Sequence, residues 1–481
     1  MNLIHDPWIP VTRLDGQMLS VSLADCFSDA QSFRDLAVKP HERIALMRLL
    51  TCITQAALNG PADEAELQDC ITKIQLQVAP YLHRWKDSFE LYGDGDRFLQ
   101  LAGVTGAIED GTPITKLDLA LATGNAPTLF DNAAGTIREH SSARVALNLL
   151  TFQAFSPCGR IGVANWAGST TPGQGSSPHS PCTSSNMLHT IGCGQNLLQT
   201  IALNLITNQQ ICDTYPKGEG RPIWERPIAS QNDTTAIENA TLTYLGRLVP
   251  CTRAIRLHDN KTTMTLAHAL DYPLYPSFRE ASATVVQPDS TKPAAIMFAS
   301  ASELWRKLPA VLVKRRATSD SLAGPLFLQN LVVNEVTLWM GAFLTDKGKP
   351  IDIVEASYSV PSNLIAGASR DAFAKAIAFA EQWEETLIAG VRKYTDSLKL
   401  ANTPSDKAKH FYWTLIDQEI GKLMDIAHNP AQGANMGATP WGQSVQTAVF
   451  TTFSAICGNT TPRQLKAFAL AHKSIQAQVI H

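Results

Sequence analysis

The sequence lacks the motifs of the common catalytic classes. It contains no GxxxxGKS/T loop for nucleotide phosphates, no HExxH motif of zinc proteases and no GxSxG motif around a nucleophilic serine. The paired acidic residues Glu384 and Glu385 fall in a helical pattern, where surface charge is their natural interpretation. The chain therefore predicts a binding protein and not an enzyme.

Neither positive nor negative charge is in large excess. The 40 Lys and Arg residues nearly balance the 43 Asp and Glu residues, which leaves a formal net charge of −3. Because phosphate contacts need clustered Lys or Arg, any nucleic-acid surface must be a local patch. The densest patch is Lys314-Arg315-Arg316, preceded by Arg306 and Lys307. It predicts a phosphate contact, and a solvated helix end is the alternative.

Two further absences bear on the compartment. The nine cysteines include no CxxC pair, which fits reduced thiols better than a disulfide framework. The start of the chain has no basic segment followed by an apolar run, and polar residues interrupt the most apolar window, 328–344. We therefore expect a cytoplasmic protein without a secretory signal or a membrane span.

The first part of the chain mixes predicted strands and helices. In chain order these are two strands around Asp15-Gly16, helices at about 41–58 and 62–77, a helix capped by Ser141 or Ser142, and strands at 247–249, 283–286 and 295–298. A chain of 481 residues is long enough for two domains. This part predicts a large mixed α/β domain.

After about residue 364 helical periodicity dominates. Four amphipathic segments follow one another, at 369–398 with Ser369 as the cap, 405–428, 441–457 and 461–480. Such a series predicts a four-helix bundle. The predicted fold class is thus α+β, with a mixed domain over 1–364 and a four-helix bundle over 365–481.

A segment rich in Gly, Ser, Thr and Pro occupies residues 156–194. Long stretches without periodicity in a folded chain tend to be functional or mobile. The segment carries His179, Cys182, His189 and Cys193, whose N and S atoms could form a tetrahedral zinc site. Residues without a metal are the default interpretation, and a zinc-dependent enzyme that uses this loop is an alternative function.

Five short motifs are spread along the whole chain. They are NLIHDPWIPV at 2–11, LLTCITQ at 49–55, the segment 89–100 with its FELYG start and FLQ end, PIWERP at 222–227 and KHFYW at 409–413. Together, in this order, they resemble the CasA family, the large subunit of the type I-E CRISPR surveillance complex Cascade. The resemblance implies a mixed amino-terminal domain and a carboxy-terminal four-helix bundle, in agreement with the periodicity.

The resemblance also implies a function. We expect a non-catalytic subunit at the 5′ end of the guide RNA that recognises the protospacer-adjacent motif in double-stranded DNA, helps to open the duplex and recruits the helicase-nuclease. The expected partners are the CRISPR guide RNA, the target DNA, the other Cascade subunits and that nuclease. No cofactor, metal or membrane is expected. A protein scaffold that never touches DNA is a second alternative.

Two loops correspond to contact loops of the family. Leu129-Phe130-Asp131-Asn132 resembles the loop that docks onto the guide's 5′ end and the neighbouring subunit, where Phe130 could stack on a base. The alternative is an ordinary loop with Phe130 in its own core.

Gly159-Arg160-Ile161-Gly162 resembles the glycine loop that approaches the minor groove, where a missing Cβ lets the backbone come close to base edges. Arg160 departs from the family pattern and could enter a narrow groove or bind a phosphate; a plain turn is the alternative.

Two hairpins complete the predicted DNA contacts. The family's wedge hairpin falls at 344–350, where Lys347 and Lys349 favour phosphates but the expected amide side chains are missing. The other hairpin lies between Val286 and Ala295, and Gln287 and Lys292 are the candidates for the family's lysine.

Overall fold

The computed structural model describes two compact units of the chain. The described residues are 1–106, 111–121, 139–155, 161–171, 180–184, 186–273, 280–286, 295–299, 304–314, 323–331, 334–346, 349–365 and 368–477. The amino-terminal unit comprises residues 1–302, 315–332 and 336–358, and the helical unit comprises 303–314, 333–335 and 359–481. Among the described helices, none is long and apolar enough to cross a membrane.

The described strands form small sheets of two or three strands each. In chain order they are β1 (Ile9–Arg13), β2 (Met18–Val21), β3 (Phe33–Leu36), β4 (Thr105–Gly106), β5 (Thr112–Pro113), β6 (Ala164–Trp166), β7 (Ser169–Thr170), β8 (His189–Cys193), β9 (Arg253–Leu257), β10 (Thr263–His268), β11 (Val285–Val286), β12 (Ala295–Ile296), β13 (Glu335–Asp346) and β14 (Lys349–Pro361). They form sheets of order β2-β1-β3, β5-β10-β9, β4-β6-β7, β14-β13-β8 and β11-β12.

Helices make up much of the remaining chain. The amino-terminal unit has α1 (Leu23–Ser28), α2 (Pro40–Leu58), α3 (Glu64–Arg84), α4 (Ser142–Phe155), α5 (Leu197–Leu203), α6 (Asn208–Thr214), α7 (Thr234–Leu242) and α8 (Tyr244–Leu248). The helical unit has α9 (Leu308–Val311), α10 (Ser362–Ile365), α11 (Ala368–Leu398), α12 (Ser405–Asp417), α13 (Ile420–His428), α14 (Pro440–Ile456) and α15 (Pro462–Gln476). The predicted α+β class is confirmed.

Helix α2 lies inside the core of the amino-terminal unit. Pro40 stands in its first turn, where a missing N–H costs nothing, and Asn59 ends it in the left-handed conformation with φ 51°. The apolar stripe predicted along this helix is buried, but so are Arg43 and Arg48 on its other faces. A helix buried on all sides must pair its charges.

Local capping explains the start of α4. The Ser141 hydroxyl accepts a hydrogen bond from the backbone N–H of Arg144, at 3.2 Å, and thereby satisfies a free donor of the first turn. On the face of this helix that packs into the core, Val145, Leu149 and Phe152 are buried. The strand predicted at 247–249 is wrong, because residues up to Leu248 belong to the short helix α8. Short apolar runs do not by themselves distinguish a strand from a helix.

Three of the five sequence motifs pack against one another. Phe89 stacks on Phe98 with 5.6 Å between ring centroids and contacts Trp224 at 5.2 Å. The Trp224 indole donates to the Tyr81 hydroxyl, at 2.8 Å. Trp8 lies against Phe98 at 6.0 Å. The motifs at 2–11, 89–100 and 222–227 therefore form one aromatic part of the core, and aromatic pairs add stabilisation beyond their buried area.

The helical unit departs from the prediction in two places. The segment 405–428 is two helices, since the backbone leaves the helical conformation at Glu419, with φ −105° and ψ 10°. The Glu419 carboxylate there accepts hydrogen bonds from Lys422 and Ser444, a tertiary contact that periodicity does not reveal. Ser369 is not the cap of the long helix, because α11 already includes Ala368. Helices α12 to α15 all contact α11 or α14, and a four-helix arrangement stays a prediction.

The KHFYW motif serves packing in the helical unit. The Trp413 indole donates to Glu384 at 2.9 Å, and the Lys409 ammonium lies 2.9 Å from the same carboxylate. The Tyr412 hydroxyl donates to the Ala380 carbonyl at 2.8 Å. Interpreting Glu384 as mere surface charge is therefore wrong, since it is mostly buried and satisfies an indole that would otherwise lack a partner.

Candidate nucleic-acid interface

Strand β8 connects the two hairpins that the sequence singles out. Residues 337–341 of β13 pair with it in antiparallel register, and β13 pairs with β14 along its other edge. His189 of β8 also bridges Ala283, and Met187 just before it bridges Phe298. Because Ala283 precedes β11 and Phe298 follows β12, both hairpins are attached to the same strand.

The first hairpin has a tightly bonded base. Val285 of β11 lies opposite Ile296 of β12, and it exchanges two backbone hydrogen bonds with Ala323, at 2.7 and 3.0 Å. The Met297 N–H donates to the Thr284 carbonyl at 2.8 Å, and Thr284 is fully buried. The base of this hairpin is therefore held by backbone hydrogen bonds to Ala323 as well as by its own pairing.

The second hairpin is long. Strand β13 has 12 residues, which span ~40 Å at the usual rise of a strand. Strand β13 ends at Asp346 and its neighbour β14 begins at Lys349, so two residues separate the paired strands. The tip predicted there, at 347–348, lies outside the described residues.

A buried charge cluster lies directly before the first hairpin. The Glu280 carboxylate lies 2.5 Å from the Arg48 guanidinium and 2.8 Å from that of Arg247. Burial raises the pKa of Glu280, but the attraction of the two arginines outweighs it and lowers the pKa below its ordinary value. Arg48 also donates to the carbonyls of Leu248 and Arg247. The cluster thus ties the chain entering the hairpin to α2 and α8.

Comparisons with known proteins identify the family. The family model of CRISPR-associated protein Cse1 matches residues 2–451 of this chain. The chain belongs to the Cse1 family. A curated relative, the CRISPR-associated protein CasA/Cse1 of Thermus thermophilus, is 29% identical over 403 residues, which cover 79% of this chain and 75% of the relative.

Solved structures share the fold of this Cse1-family chain. A crystal structure of Thermus thermophilus CasA has a TM-score of 0.79 at 22% identity, covering 100% of this chain and 99% of the other. That of Thermobifida fusca Cse1 has a TM-score of 0.76 at 20% identity, covering 100% and 98%. A chain of a structure described as a CRISPR RNA-guided surveillance complex has a TM-score of 0.77 at 16% identity, covering 99% of each chain. At these identities the likeness concerns the fold.

Most of the predicted contact residues of this Cse1-family chain lie outside the described residues. They are Leu129, Phe130, Asp131, Asn132, Gly159, Arg160, Gln287, Lys292, Arg315, Arg316 and Lys347. Gly162 is described, and it forms a parallel bridge with Ala267 of β10. Lys349 is the first residue of β14, beside the tip of the second hairpin. These contacts stay predictions.

The basic patch proposed around Lys314 is only partly available for phosphates. Lys314 is exposed. The Arg306 guanidinium, in contrast, lies over the Trp413 ring at 4.0 Å and 2.7 Å from Glu381. Because it is stacked and paired, Arg306 stabilises the helical unit.

The zinc interpretation of the loop disagrees with the strand that the structure shows. His189 and Cys193 are the first and last residues of β8, so their Cα atoms lie ~13 Å apart at the rise of a strand. One zinc ion, with ligand distances of about 2.0–2.3 Å, cannot bind both. His189 Nδ1 lies 3.0 Å from the Ser282 hydroxyl, and burial, with Arg48 nearby, lowers the pKa of His189 to about 3. His179 lies outside the described residues.

Sequence reasoning missed two residues that organise this region, Glu280 and Asn186. Neither belongs to a motif, and their partners are distant along the chain: Glu280 is 232 residues from Arg48 and Asn186 is 159 residues from Thr345. In the sequence, Glu280 lies shortly before the first predicted hairpin, and Asn186 lies within the Gly- and Ser-rich segment 156–194.

Proposed function

We propose that this Cse1-family protein is the non-catalytic large subunit of a type I-E CRISPR surveillance complex in the cytoplasm. It recognises the protospacer-adjacent motif in double-stranded DNA, helps to open the duplex and recruits the helicase-nuclease. Its partners are the guide RNA, the other subunits, the target DNA and that nuclease. Residues 1–364 carry the DNA and guide contacts, and residues 365–481 form the four-helix bundle.

Family membership carries the proposal, and the fold shared with a chain of a CRISPR RNA-guided surveillance complex supports it. In such effectors base pairing with the guide reads the target, while protein reads only the short flanking motif. That division of labour suits a chain with a net charge of −3, because partner subunits can supply most of the phosphate contacts.

The attachment of both hairpins to β8 supports a role in reading and opening DNA. Base edges are recognised only by groups held in a defined position. The base of the first hairpin is bonded to β8 and to Ala323, and the second hairpin continues the sheet of β8. The two hairpins can therefore act on the same DNA. Lys292, Lys347 and Lys349 would bind phosphates there, while the Gly159–Gly162 loop samples the minor groove.

The test is target binding by the reconstituted complex, with and without this chain, on duplexes with a randomised flanking sequence. We expect selectivity for certain flanking sequences only when the chain is present. Changing Gly159 and Gly162 to Ala should abolish it, and Lys347→Ala should weaken binding.

Lys217→Ala is the matched control. Lys217 is 55% exposed and lies 3.7 Å from Glu238 on the surface of the same unit, a pair of little energetic weight. The control should bind like the wild type. Equal binding with and without the chain would refute the DNA-reading role and favour a protein scaffold.

A further inference from the structure

Asn186 makes hydrogen bonds to both hairpins. Its side-chain Oδ1 accepts from the Thr345 N–H at 2.6 Å, and its Nδ2 donates to the Thr345 carbonyl at 3.2 Å. Its backbone N–H donates to the Phe343 carbonyl at 3.2 Å, and its carbonyl accepts from the Ala299 N–H at 2.8 Å. The side-chain amide therefore bonds to Thr345 as a neighbouring strand's backbone would.

These partners lie in or beside the two hairpins. Thr345 is the last residue but one of β13, the first strand of the second hairpin. Ala299 follows β12, the returning strand of the first hairpin. One residue thus connects the end of a strand in one hairpin with the segment that leaves the other.

The backbone of Asn186 is also unusual. Its φ is +64°, in the left-handed region that Asn and Gly adopt more readily than other residues. In this conformation the side chain and the backbone N–H bond to β13, while the backbone carbonyl bonds to Ala299. An Asn at this position satisfies both the dihedral angle and the two side-chain hydrogen bonds, whereas Gly satisfies only the first.

We propose that Asn186 is a positioning residue that holds the end of β13 and the segment after β12 in a fixed relation, so that the two hairpins read and open the flanking DNA together. The inference rests on the proposed function and deepens it. Its physical reason is that two hairpins that contact the same DNA discriminate sequences only when both are in place at once. Independent movement of one hairpin would keep phosphate contacts but lose discrimination.

The experiment compares Asn186→Gly with the wild type in the reconstituted complex. The readout is the ratio of Kd values on duplexes with a disfavoured and a favoured flanking sequence. Gly keeps the dihedral angle accessible and removes only the two side-chain hydrogen bonds. We expect the ratio to fall about tenfold, which corresponds to the loss of one or two ordinary hydrogen bonds.

Two variants control for flexibility and for chemistry. Asn59→Gly makes the same change at another left-handed asparagine, φ 51°, exposed at the end of α2, and should leave the ratio unchanged. Asn186→Asp keeps the acceptor for the Thr345 N–H but loses the donor to its carbonyl, so its ratio should fall between those of the wild type and Asn186→Gly.

A second measurement does not depend on DNA. In Asn186→Gly, amide hydrogen exchange of the full chain should become faster at Thr345, whose N–H loses its acceptor. It should also become faster at Ala299, because the carbonyl of residue 186 that accepts its N–H is then held less firmly. Exchange in β9 and β10 should stay unchanged. Faster exchange at only one of the two residues would overturn the proposed link between the hairpins.

The binding outcomes separate this inference from the proposed function. If the wild type is selective and Asn186→Gly keeps its full ratio, or binds both duplexes more weakly by the same factor, only the role of Asn186 is refuted. If the wild type shows no selectivity, the proposed function fails and the inference fails with it.

Discussion

Replacing Glu280 with glutamine tests how strongly the buried charge cluster holds the base of the first hairpin. The side chain of Glu280 is 3% exposed, and those of Arg48 and Arg247 are 7% and 5% exposed. The substitution keeps the volume but removes the negative charge that both buried guanidinium groups contact. Breaking a buried ion pair in this way costs roughly 3–5 kcal/mol.

The contacts that remain after the substitution place the expected loss of unfolding free energy at the lower end of that range. Arg48 keeps its hydrogen bonds to the carbonyls of Leu248 and Arg247, and Arg247 keeps its bond to the Cys182 carbonyl. These acceptors still compensate part of the positive charge. We therefore expect Glu280→Gln to lower the free energy of unfolding of the amino-terminal unit by about 3 kcal/mol.

The assay is the urea dependence of amide exchange in α2, which reports the opening of the amino-terminal unit by itself. Glu238→Gln is the matched control, because Glu238 is 53% exposed and pairs loosely with Lys217. It should cost less than about 1 kcal/mol.

The pH dependence provides a second check. Since the folded pKa of Glu280 is lowered, its stabilisation is fully present above the unfolded carboxyl pKa of about 4.3. It is lost as the pH falls through the folded value. The difference between wild type and variant should thus be constant near neutral pH and shrink in acid. A difference below about 1 kcal/mol at pH 7, or one that persists in acid, would refute the reasoning.

Three further predictions follow from the contacts above. Lys347→Ala in the reconstituted complex should reduce the slope of log K against log salt by about 0.9, as expected for one lost phosphate contact, and an unchanged slope would contradict that contact. Because burial lowers the pKa of His189 to about 3, the unfolded chain binds a proton more readily below pH 6.5 and stability falls as the pH falls. His189→Gln should therefore lose less free energy of unfolding than the wild type when the pH falls from 6.5 to 5. The difference should reach up to about 1.4 kcal/mol per pH unit and is measured by urea unfolding. Trp413→Phe removes the hydrogen bond to Glu384 and should destabilise the helical unit by about 1–2 kcal/mol in thermal unfolding; an unchanged melting temperature would show that this bond contributes nothing.

Local patterns predicted the elements whose stability is local. Apolar residues at helical spacing predicted α2, α3, α11 and α14, because the stripe that a helix buries is written in consecutive residues. Two short apolar segments around 287–294 predicted the paired strands β11 and β12. The second hairpin was placed by the resemblance to the family, and its strands β13 and β14 are paired.

The errors fall where a distant partner decides the local structure. The backbone breaks at Glu419, where its carboxylate bonds to Ser444, 25 residues away. The segment with Arg247 is a short helix whose guanidinium pairs with Glu280, 33 residues away. Periodicity over a short window contains neither partner, and tertiary contacts override weak local propensities.

The motifs that carry the resemblance to the family lie largely in the core. They supply core residues such as Trp8, Phe89, Trp224 and Trp413, whose shapes must fit one another. Close packing restricts such residues more than surface loops. A resemblance carried by core motifs therefore supports the fold more firmly than it supports individual contact residues such as Arg160.

By itself, the sequence determined the fold class, the helical carboxy-terminal region, the two hairpins and the family. Only the tertiary structure decided that both hairpins are attached to β8, that Glu280 pairs with Arg48 and that Asn186 connects Thr345 with Ala299. The physical reason is the range of the contacts. Secondary structure and turns depend on residues within one or two turns of each other, whereas these contacts exist only after the whole chain has packed and brought remote segments together.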